Sequence, residues 1–365
     1  MRRSSLAPLA LLPLLLGAAG TSQHAIINGE AYGSDEFPSA GQLITDVVLD
    51  ASAFGGSPEQ ASKVASCTAT LIAPDVLLTA AHCVDETLLT FGILEVVELN
   101  FAISFEEDLQ WMSEEQYQGN PPLPDDAVSS VGFVMHPGFS IQNFQGELGG
   151  LDALDDIALV FLEETITDRP HAYLPSEEED ASLEEGMEVG VLGYGQQSPE
   201  TGGPFDPPPE DINQRIGGLS FINELGEAEF QVGSDEDSIR KCKGDSGGPS
   251  YADVETDLDV TQRVIGVTSR AYSSENPEQQ CFQGGVDTRV GWHLDWIEDE
   301  MIRACEDGIR VWCDEPGILR PGTGDDGDGD DGGQACEGCS AGGSSGGAGW
   351  LGLVVALGVV RRRRG

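Results

Sequence analysis

Between Phe37 and Ala73 the apolar residues come in short runs, each broken by Gly, Pro or Asp. No 3.6-residue period continues over a helix length there, and the whole chain is 39% apolar with 48 glycines. Short apolar runs separated by turn residues are typical of β-strands and loops. The sequence therefore predicts a β-rich fold, and 365 residues are enough for a large core.

A glycine-flanked serine carries the first chemical signal. Residues 243–249 read Lys-Gly-Asp-Ser-Gly-Gly-Pro and contain Ser246. A serine hydroxyl needs a base to take its proton, and it needs positioned N–H donors for the oxyanion that forms when it attacks a carbonyl. The flanking glycines leave room for that carbonyl and let the N–H groups of Gly244 and Ser246 point inward together. Taken alone, the run is also compatible with an ordinary turn.

Two motifs upstream supply the missing partners. Residues 79–83 read Thr-Ala-Ala-His-Cys and contain His82, and residues 155–159 read Asp-Asp-Ile-Ala-Leu and contain Asp156. The order His, Asp, Ser in these local frames resembles the chymotrypsin/trypsin-like serine proteases, over roughly residues 26–304. The resemblance implies an all-β fold of two antiparallel Greek-key β-barrels with a C-terminal helix. The barrels would span about residues 26–160 and 168–290.

The same resemblance implies roles for these residues. Ser246 is the nucleophile, His82 acts as base and then acid, Asp156 orients His82, and the N–H groups of Gly244 and Ser246 form the oxyanion hole. The implied function is a serine endopeptidase that works through an acyl-enzyme, with no cofactor and no metal. The alternative is a non-catalytic, protease-like binding module displayed on the cell surface, and Ser246→Ala distinguishes the two.

The specificity pocket departs from that of trypsin. The position six residues before the nucleophile lies at the pocket base in this family, and here it is Arg240, which cannot select Lys or Arg. Either Arg240 favours Asp or Glu before the scissile bond, with Lys241, Lys243 and Arg270 as further cations nearby, or Asp287 neutralises Arg240 and leaves a short pocket for small uncharged side chains. The predicted pocket residues are Arg240, Lys243, Ser269, Arg270, Gly285 and Asp287.

The N-terminal region predicts export. Residues 1–20 read as a secretory signal peptide, with two arginines before an apolar stretch and small residues at its end. Residues 21–25 are then a short pro-segment, and Ile26 resembles the mature N-terminus of the family, whose new α-ammonium pairs with Asp245. Because Ala25 is not basic, we do not expect a trypsin-like activator. Two routes to the Ile26 N-terminus remain. Either another protease removes the pro-segment, or the signal peptide is cleaved directly after Ala25.

Eight cysteines fit an exported chain, because disulfides persist in oxidising compartments. The resemblance implies two pairs, Cys67 with Cys83 and Cys242 with Cys281. Cys305 and Cys313 are close enough in sequence to bridge each other, which leaves Cys336 and Cys339.

Beyond the protease-like region the composition changes. Residues 305–340 contain cysteines and a Gly/Asp-rich stretch that predicts a charged, flexible linker. Residues 341–365 end in an apolar stretch followed by four arginines, and they resemble bacterial MYXO-CTERM and GlyGly-CTERM sorting tails. This implies a sorting protease, outer-membrane anchoring of an extracellular bacterial protein, and a lipid on Cys339 or Cys336. A permanent single-span anchor is the alternative.

Charge narrows the set of partners. The chain has 18 Lys and Arg against 64 Asp and Glu, a net charge of −46, which argues against nucleic acid. The expected partners are a protein or peptide substrate and, through the tail, a membrane. Two local expectations remain: a surface insertion over residues 106–126, and a closing helix over residues 293–302 with Leu294, Ile297 and Met301 on one face.

Overall fold

The computed structural model describes residues 26–321, except 55, 91–94, 110–121, 147–148, 196–212, 236, 257, 259 and 273–280. The predicted signal peptide, pro-segment and sorting tail lie outside the described residues, as do the Gly/Asp-rich stretch, Cys336, Cys339 and most of the predicted insertion. Among the described residues, no helix has both the length and the apolar character needed to cross a membrane.

The described residues form mostly strands, and the helices are short except for the last. The strands are β1 (Glu30–Ala31), β2 (Ala40–Asp50), β3 (Gln60–Ala73), β4 (Val76–Thr79), β5 (Glu95–Ser104), β6 (Val128–Met135), β7 (Ala158–Leu162), β8 (Glu188–Gly193), β9 (Ile216–Leu225), β10 (Glu229–Val232), β11 (Pro249–Asp253), β12 (Gln262–Ala271) and β13 (Gly285–Arg289). The helices are α1 (Glu86–Thr90), α2 (Ile141–Gly146), α3 (Glu177–Ala181) and α4 (Leu294–Glu306).

Two antiparallel barrels account for nearly all of these strands. Strands β2-β3-β4-β7-β6-β5 close the first barrel. Strands β8-β9-β10-β13-β12-β11 form a second ring, closed by the pairing of β11 with β8, and β1 adds to the edge of β9. In each barrel the fourth strand returns beside the first, which is the Greek-key arrangement. The predicted fold class is therefore confirmed.

The core joins the first barrel to β12 and α4. Strand β7 is buried along its whole length, in agreement with its continuous apolar run. Helix α4 buries Leu294, Ile297, Met301 and Ala304, so the predicted apolar face is confirmed. Burial of each of the three larger side chains, Leu294, Ile297 and Met301, contributes about 1.5–3 kcal/mol.

A buried ion pair holds the segment after α4 against the first barrel. Arg310 Nη2 lies 2.7 Å from Asp75 Oδ1, in the turn between β3 and β4, and neither side chain is exposed. The backbone N–H groups of Val311 and Trp312 donate to Asp75 Oδ2 at 2.9 Å. Because unpaired buried charges are costly, Arg310 and these two N–H donors compensate the Asp75 carboxylate for its burial.

The same segment is bridged by Cys305–Cys313, whose sequence separation is only 8. Replacing both cysteines by alanine is expected to lower the free energy of unfolding by about 2–3 kcal/mol, because a short closed loop removes little entropy from the unfolded chain. Urea unfolding measures this, with Cys336→Ser/Cys339→Ser as the matched control. Unchanged stability in the alanine variant would show that the bridge contributes nothing.

Candidate active site

His82 and Asp156 meet because their strands pair. In the antiparallel pairing of β4 with β7, Thr79 lies opposite Ala158. A 3₁₀ turn after β4 carries His82, and Asp156 lies just before β7. His82 Nδ1 is 2.7 Å from Asp156 Oδ2, and the His82 N–H donates to Asp156 Oδ1 at 2.9 Å. Because ionised Asp156 only accepts, Nδ1 carries the ring proton and Nε2 is left as a base.

Asp156 is held from a third side. It is fully buried, and the Ser269 hydroxyl donates to its Oδ2 at 2.7 Å. Ser269 was predicted only as a pocket residue. In the structure its hydroxyl also contacts the catalytic candidate Asp156. Three donors on one carboxylate fix its orientation and thereby the tautomer of His82.

The turn containing Ser246 is built around glycines. Gly244 and Gly247 have φ of +93° and +78°. A Cβ on Gly247 would lie 2.1 Å from Thr79 Oγ1 and 2.3 Å from the Thr68 carbonyl oxygen. The chain can therefore approach the first barrel this closely only with glycine.

A backbone hydrogen bond and a disulfide connect the Ser246 turn to the segment that carries His82. The Thr68 N–H donates to the Ser246 carbonyl at 2.7 Å. Thr68 follows Cys67, which is bonded to Cys83, the residue after His82. Within the described residues Ser246 Oγ makes no hydrogen bond with His82, a contact that is often long without substrate. In the same part of the chain the N–H groups of Gly244 and Ser246 have no acceptor, so both are available to a substrate oxygen.

The carboxylate before the serine is completely buried. Asp245 accepts from the N–H groups of Gly195 at 2.9 Å, Cys242 at 2.8 Å and Ile26. Burial raises the pKa of Asp245 to about 7, against the lowering effect of these donors. Ile26 is fully buried with φ of +39°. The structure thus brings together the two residues of the predicted activation pair.

The cavity beside Ser246 has a volume of about 90 Å³. Its lining consists of Lys241, Cys242, Lys243, Ser246, Thr268, Ser269, Arg270, Ala271 and Cys281. Three predicted pocket residues, Lys243, Ser269 and Arg270, are in this lining, whereas Arg240, Gly285 and Asp287 are not. The bridge Cys242–Cys281 is present as predicted.

The hypothesis that Asp287 neutralises Arg240 is wrong, because the partner of Asp287 is Lys241. Lys241 Nζ lies 2.7 Å from Asp287 Oδ2 and donates to Ser250 Oγ at 2.8 Å. Both charged side chains are at least 99% buried. Burial lowers the pKa of Lys241, and Asp287 opposes this effect. Arg240 instead donates from Nη1 to the Phe282 carbonyl at 3.0 Å.

Arg270 is also paired with an acid. Its two terminal nitrogens donate to the two carboxylate oxygens of Glu229 at 2.7 and 2.8 Å. Of the cavity-lining cations, only Lys243 is exposed. The positive charge predicted for this pocket is therefore largely neutralised by buried acids.

Two site residues were missed by sequence reasoning. Phe144 on α2 stacks on the His82 ring, with centroids 4.8 Å apart and planes at 23°. Gly195 donates to Asp245, as described above. A single apolar residue in a short helix carries no sequence signal for stacking on His82, whereas the Gly-Tyr-Gly run over residues 193–195 is a sequence signal for the position of Gly195.

Two groups of residues in the described chain have metal-ligand chemistry. The first contains His82, Cys67 and Cys83, and its cysteines are already bonded to each other. The second contains His136, Asp155 and His293 and lies outside the site described here.

Comparisons with known proteins agree with this geometry. The family model described as Trypsin matches residues 53–297, more than half of the chain. Serine proteinase stubble of Drosophila melanogaster is 26% identical over 254 residues, which cover 66% of this chain and 28% of that protein. The chain thus spans less than a third of the length of this relative.

Proposed function

The chain belongs to the trypsin family, and from this premise we propose that it is an exported serine endopeptidase. The observation that carries the proposal is the 2.7 Å contact between His82 and Asp156 beside two unused N–H donors at Gly244 and Ser246. A binding module has no need of an oriented imidazole next to an anion-binding turn. The three disulfides favour an oxidising compartment.

In the proposed reaction Ser246 Oγ attacks the scissile carbonyl carbon while His82 Nε2 takes the hydroxyl proton. Asp156 stabilises the imidazolium, and the two N–H groups bind the oxyanion. The imidazolium then protonates the leaving amine, which gives the acyl-enzyme. Water repeats the sequence on the ester bond and releases Ser246. The proposed mechanism uses neither a cofactor nor a metal.

For specificity we propose a small, uncharged residue before the scissile bond. The paired states of Lys241 and Arg270 leave little free positive charge for Asp or Glu. The cavity of about 90 Å³ is smaller than the roughly 150 Å³ cavity that accommodates benzene in another protein. Both features favour Ala, Ser, Thr or Val over acidic and aromatic side chains.

Cleavage of a peptide library by the matured chain tests this proposal. We expect products that end mainly in Ala, Ser, Thr or Val, with Lys and Arg rejected. The matched variant is Lys243→Gln, which removes the exposed cation and should leave this profile unchanged. Cleavage mainly after Asp or Glu, lost in Lys243→Gln, would overturn the small-residue preference and support the acidic one.

We further propose that residues 1–20 direct export and that loss of residues 21–25 frees the Ile26 ammonium. The support is the Ile26 N–H donating to buried Asp245, since an ammonium at that nitrogen would add a charge to the same contact. For the tail, the proposal rests on sequence alone: residues 341–365 anchor the protein at the cell surface, with Cys336 or Cys339 available for lipid.

The pKa of Asp245 gives a pH test of this switch. A chain that retains residues before Ile26 has no ammonium there, so its folded state holds a proton on Asp245 up to about pH 7. The unfolded carboxyl releases that proton near pH 4. Between pH 4 and pH 7 the folded state therefore binds more protons than the unfolded state. As a result, the titration of Asp245 makes the free energy of unfolding fall as the pH rises from 4 to 7.

In a chain that begins at Ile26, the ammonium lowers the pKa of Asp245 and this fall should disappear. The measurement is the free energy of unfolding at pH 4.5 and 7.5 for both forms in a Ser246→Ala background. Uncleaved Asp245→Asn is the control, because it removes the titrating group. Equal pH dependence in all three proteins would contradict the proposed switch.

A further inference from the structure

A second cluster of ionisable side chains contains Asp155, the residue before Asp156. Strand β6 ends at Met135 opposite Ala158, and the His136 N–H donates to the Ile157 carbonyl at 3.0 Å. This pairing brings His136 next to Asp155. His293, the last residue of the 3₁₀ turn before α4, completes the cluster.

The three side chains converge on one point. His136 Nδ1 is 3.7 Å from Asp155 Oδ2, and His293 Nε2 is 3.8 Å from Asp155 Oδ1. One ligand atom from each residue lies within 4.8 Å of the other two. Gly138 makes the approach possible, because a Cβ there would lie 2.0 Å from Asp155 Oδ2.

One nitrogen in this cluster has no hydrogen-bond partner. His293 is 97% buried, and its Nε2 makes no hydrogen bond with any of the described residues. The nearest charged group is Asp155, beyond hydrogen-bond distance. A buried polar atom without a partner is costly. Its orientation toward a carboxylate and a second imidazole is therefore an independent sign that a ligand belongs there.

The protonation states suit a metal ion. Burial lowers the pKa of His293 to about 3 and also lowers that of His136. Both rings are then neutral at pH 7, which is the form that ligates metals. His136 Nδ1 accepts from the Gly138 N–H at 3.1 Å, so this nitrogen carries a lone pair rather than a proton.

We propose that His136, Asp155 and His293 form a site for a divalent transition metal of the zinc class. Two neutral imidazoles and one carboxylate are a ligand set that zinc uses, with water in the fourth position. Around a tetrahedral zinc, neighbouring ligand atoms lie about 3.3 Å apart. The 3.7 and 3.8 Å distances run to the two different oxygens of Asp155, and the three ligand atoms lie within 4.8 Å of one another. Metal binding would therefore require the side chains to move closer together by up to about 1.5 Å.

Access to the site is open on one side. Asp155 and His136 have side-chain exposures of 23% and 19%, whereas His293 closes the inner side at 2%. A metal ion can therefore enter from solvent and keep a bound water there. In binding, it would replace the Gly138 N–H as the partner of His136 Nδ1.

Isothermal titration of the full chain with Zn²⁺ tests the proposal without any reference to proteolysis. Cys336→Ser and Cys339→Ser are included in every protein, so that these thiols do not compete for zinc. We expect one equivalent of Zn²⁺ to bind and Ca²⁺, which prefers oxygen ligands, not to compete. Asp155→Asn and His293→Gln should each weaken binding by at least about 10-fold, since even outer-shell changes cost that much.

Two histidine variants serve as controls. His171→Gln replaces a partly buried histidine outside the cluster, whose Nε2 is buried and has no hydrogen-bond partner among the described residues. His82→Ala removes the candidate catalytic ring. Both variants should still bind one equivalent of Zn²⁺. Asp155→Asn leaves the buried ring in place, so it gives a result even if His293→Gln does not fold. Absence of binding in the parent, or equal binding in the parent and Asp155→Asn, would overturn the proposal.

Discussion

Replacing Ser246 by alanine is expected to reduce kcat by about 10⁶-fold, because removal of the nucleophile from a Ser-His-Asp site costs that much in a well-studied protease. The remaining activity would come from the oxyanion donors and from substrate binding. Since the backbone around Ser246 is fixed by Thr68, Gly244 and Gly247, the variant should fold normally. The measurement is the rate of hydrolysis of a peptide that has a small residue immediately before the scissile bond.

Ser182→Ala is the matched control, because Ser182 is an exposed serine whose hydroxyl contacts only the Glu179 carbonyl. Its kcat should equal that of the parent. A Ser246→Ala variant with parental turnover would show that another group attacks the substrate. No turnover in any folded form would support the binding module instead.

Replacing Lys241 by methionine is expected to lower the free energy of unfolding by about 3–5 kcal/mol, since it leaves Asp287 buried without its partner. Among the described residues, one carboxylate oxygen of Asp287 already has no hydrogen-bond donor, so no further donor there can replace Lys241. The double variant Lys241→Met/Asp287→Asn should recover most of the loss, because it removes both charges together. Urea unfolding in a Ser246→Ala background measures each value without autolysis.

The neighbouring lysine provides a sharp control. Lys243 is exposed and only two residues away, so Lys243→Met should change stability by at most about 0.5 kcal/mol. A similar loss in Lys241→Met and Lys243→Met would mean that the buried pair is not important for stability. A double variant as unstable as Lys241→Met alone would point to lost packing rather than an unpaired charge.

The sequence was sufficient where local pattern decides structure. The short apolar runs between Phe37 and Ala73 predicted strands, and this region contains β2 and β3. The motifs around His82 and Asp156 predicted two residues that the pairing of β4 with β7 brings together. The three disulfides were predicted correctly. For the catalytic residues and for two of the disulfides, the family resemblance named the partners, whereas Cys305 and Cys313 were paired because they are close in sequence.

The charge pairing in the pocket could not be predicted in the same way. Arg240 and Lys241 are adjacent, and neighbouring side chains of an extended segment point to opposite sides. Only one of them can face Asp287, and which one depends on long-range packing. The bond between Arg270 and Glu229 likewise requires β10, β12 and β13 to be in register. The stacking of Phe144 on His82 is a contact of the same long-range kind.

In the proposed function, Ser246 is an activated nucleophile in the matured chain. Labelling with a fluorophosphonate probe, combined with N-terminal sequencing, tests it most directly, since the probe forms a covalent bond to an activated serine oxygen and releases fluoride. We expect one equivalent of label on Ser246 in protein that begins at Ile26, and none in Ser246→Ala. Folded protein that begins at Ile26 and takes up no label would contradict the proposed function.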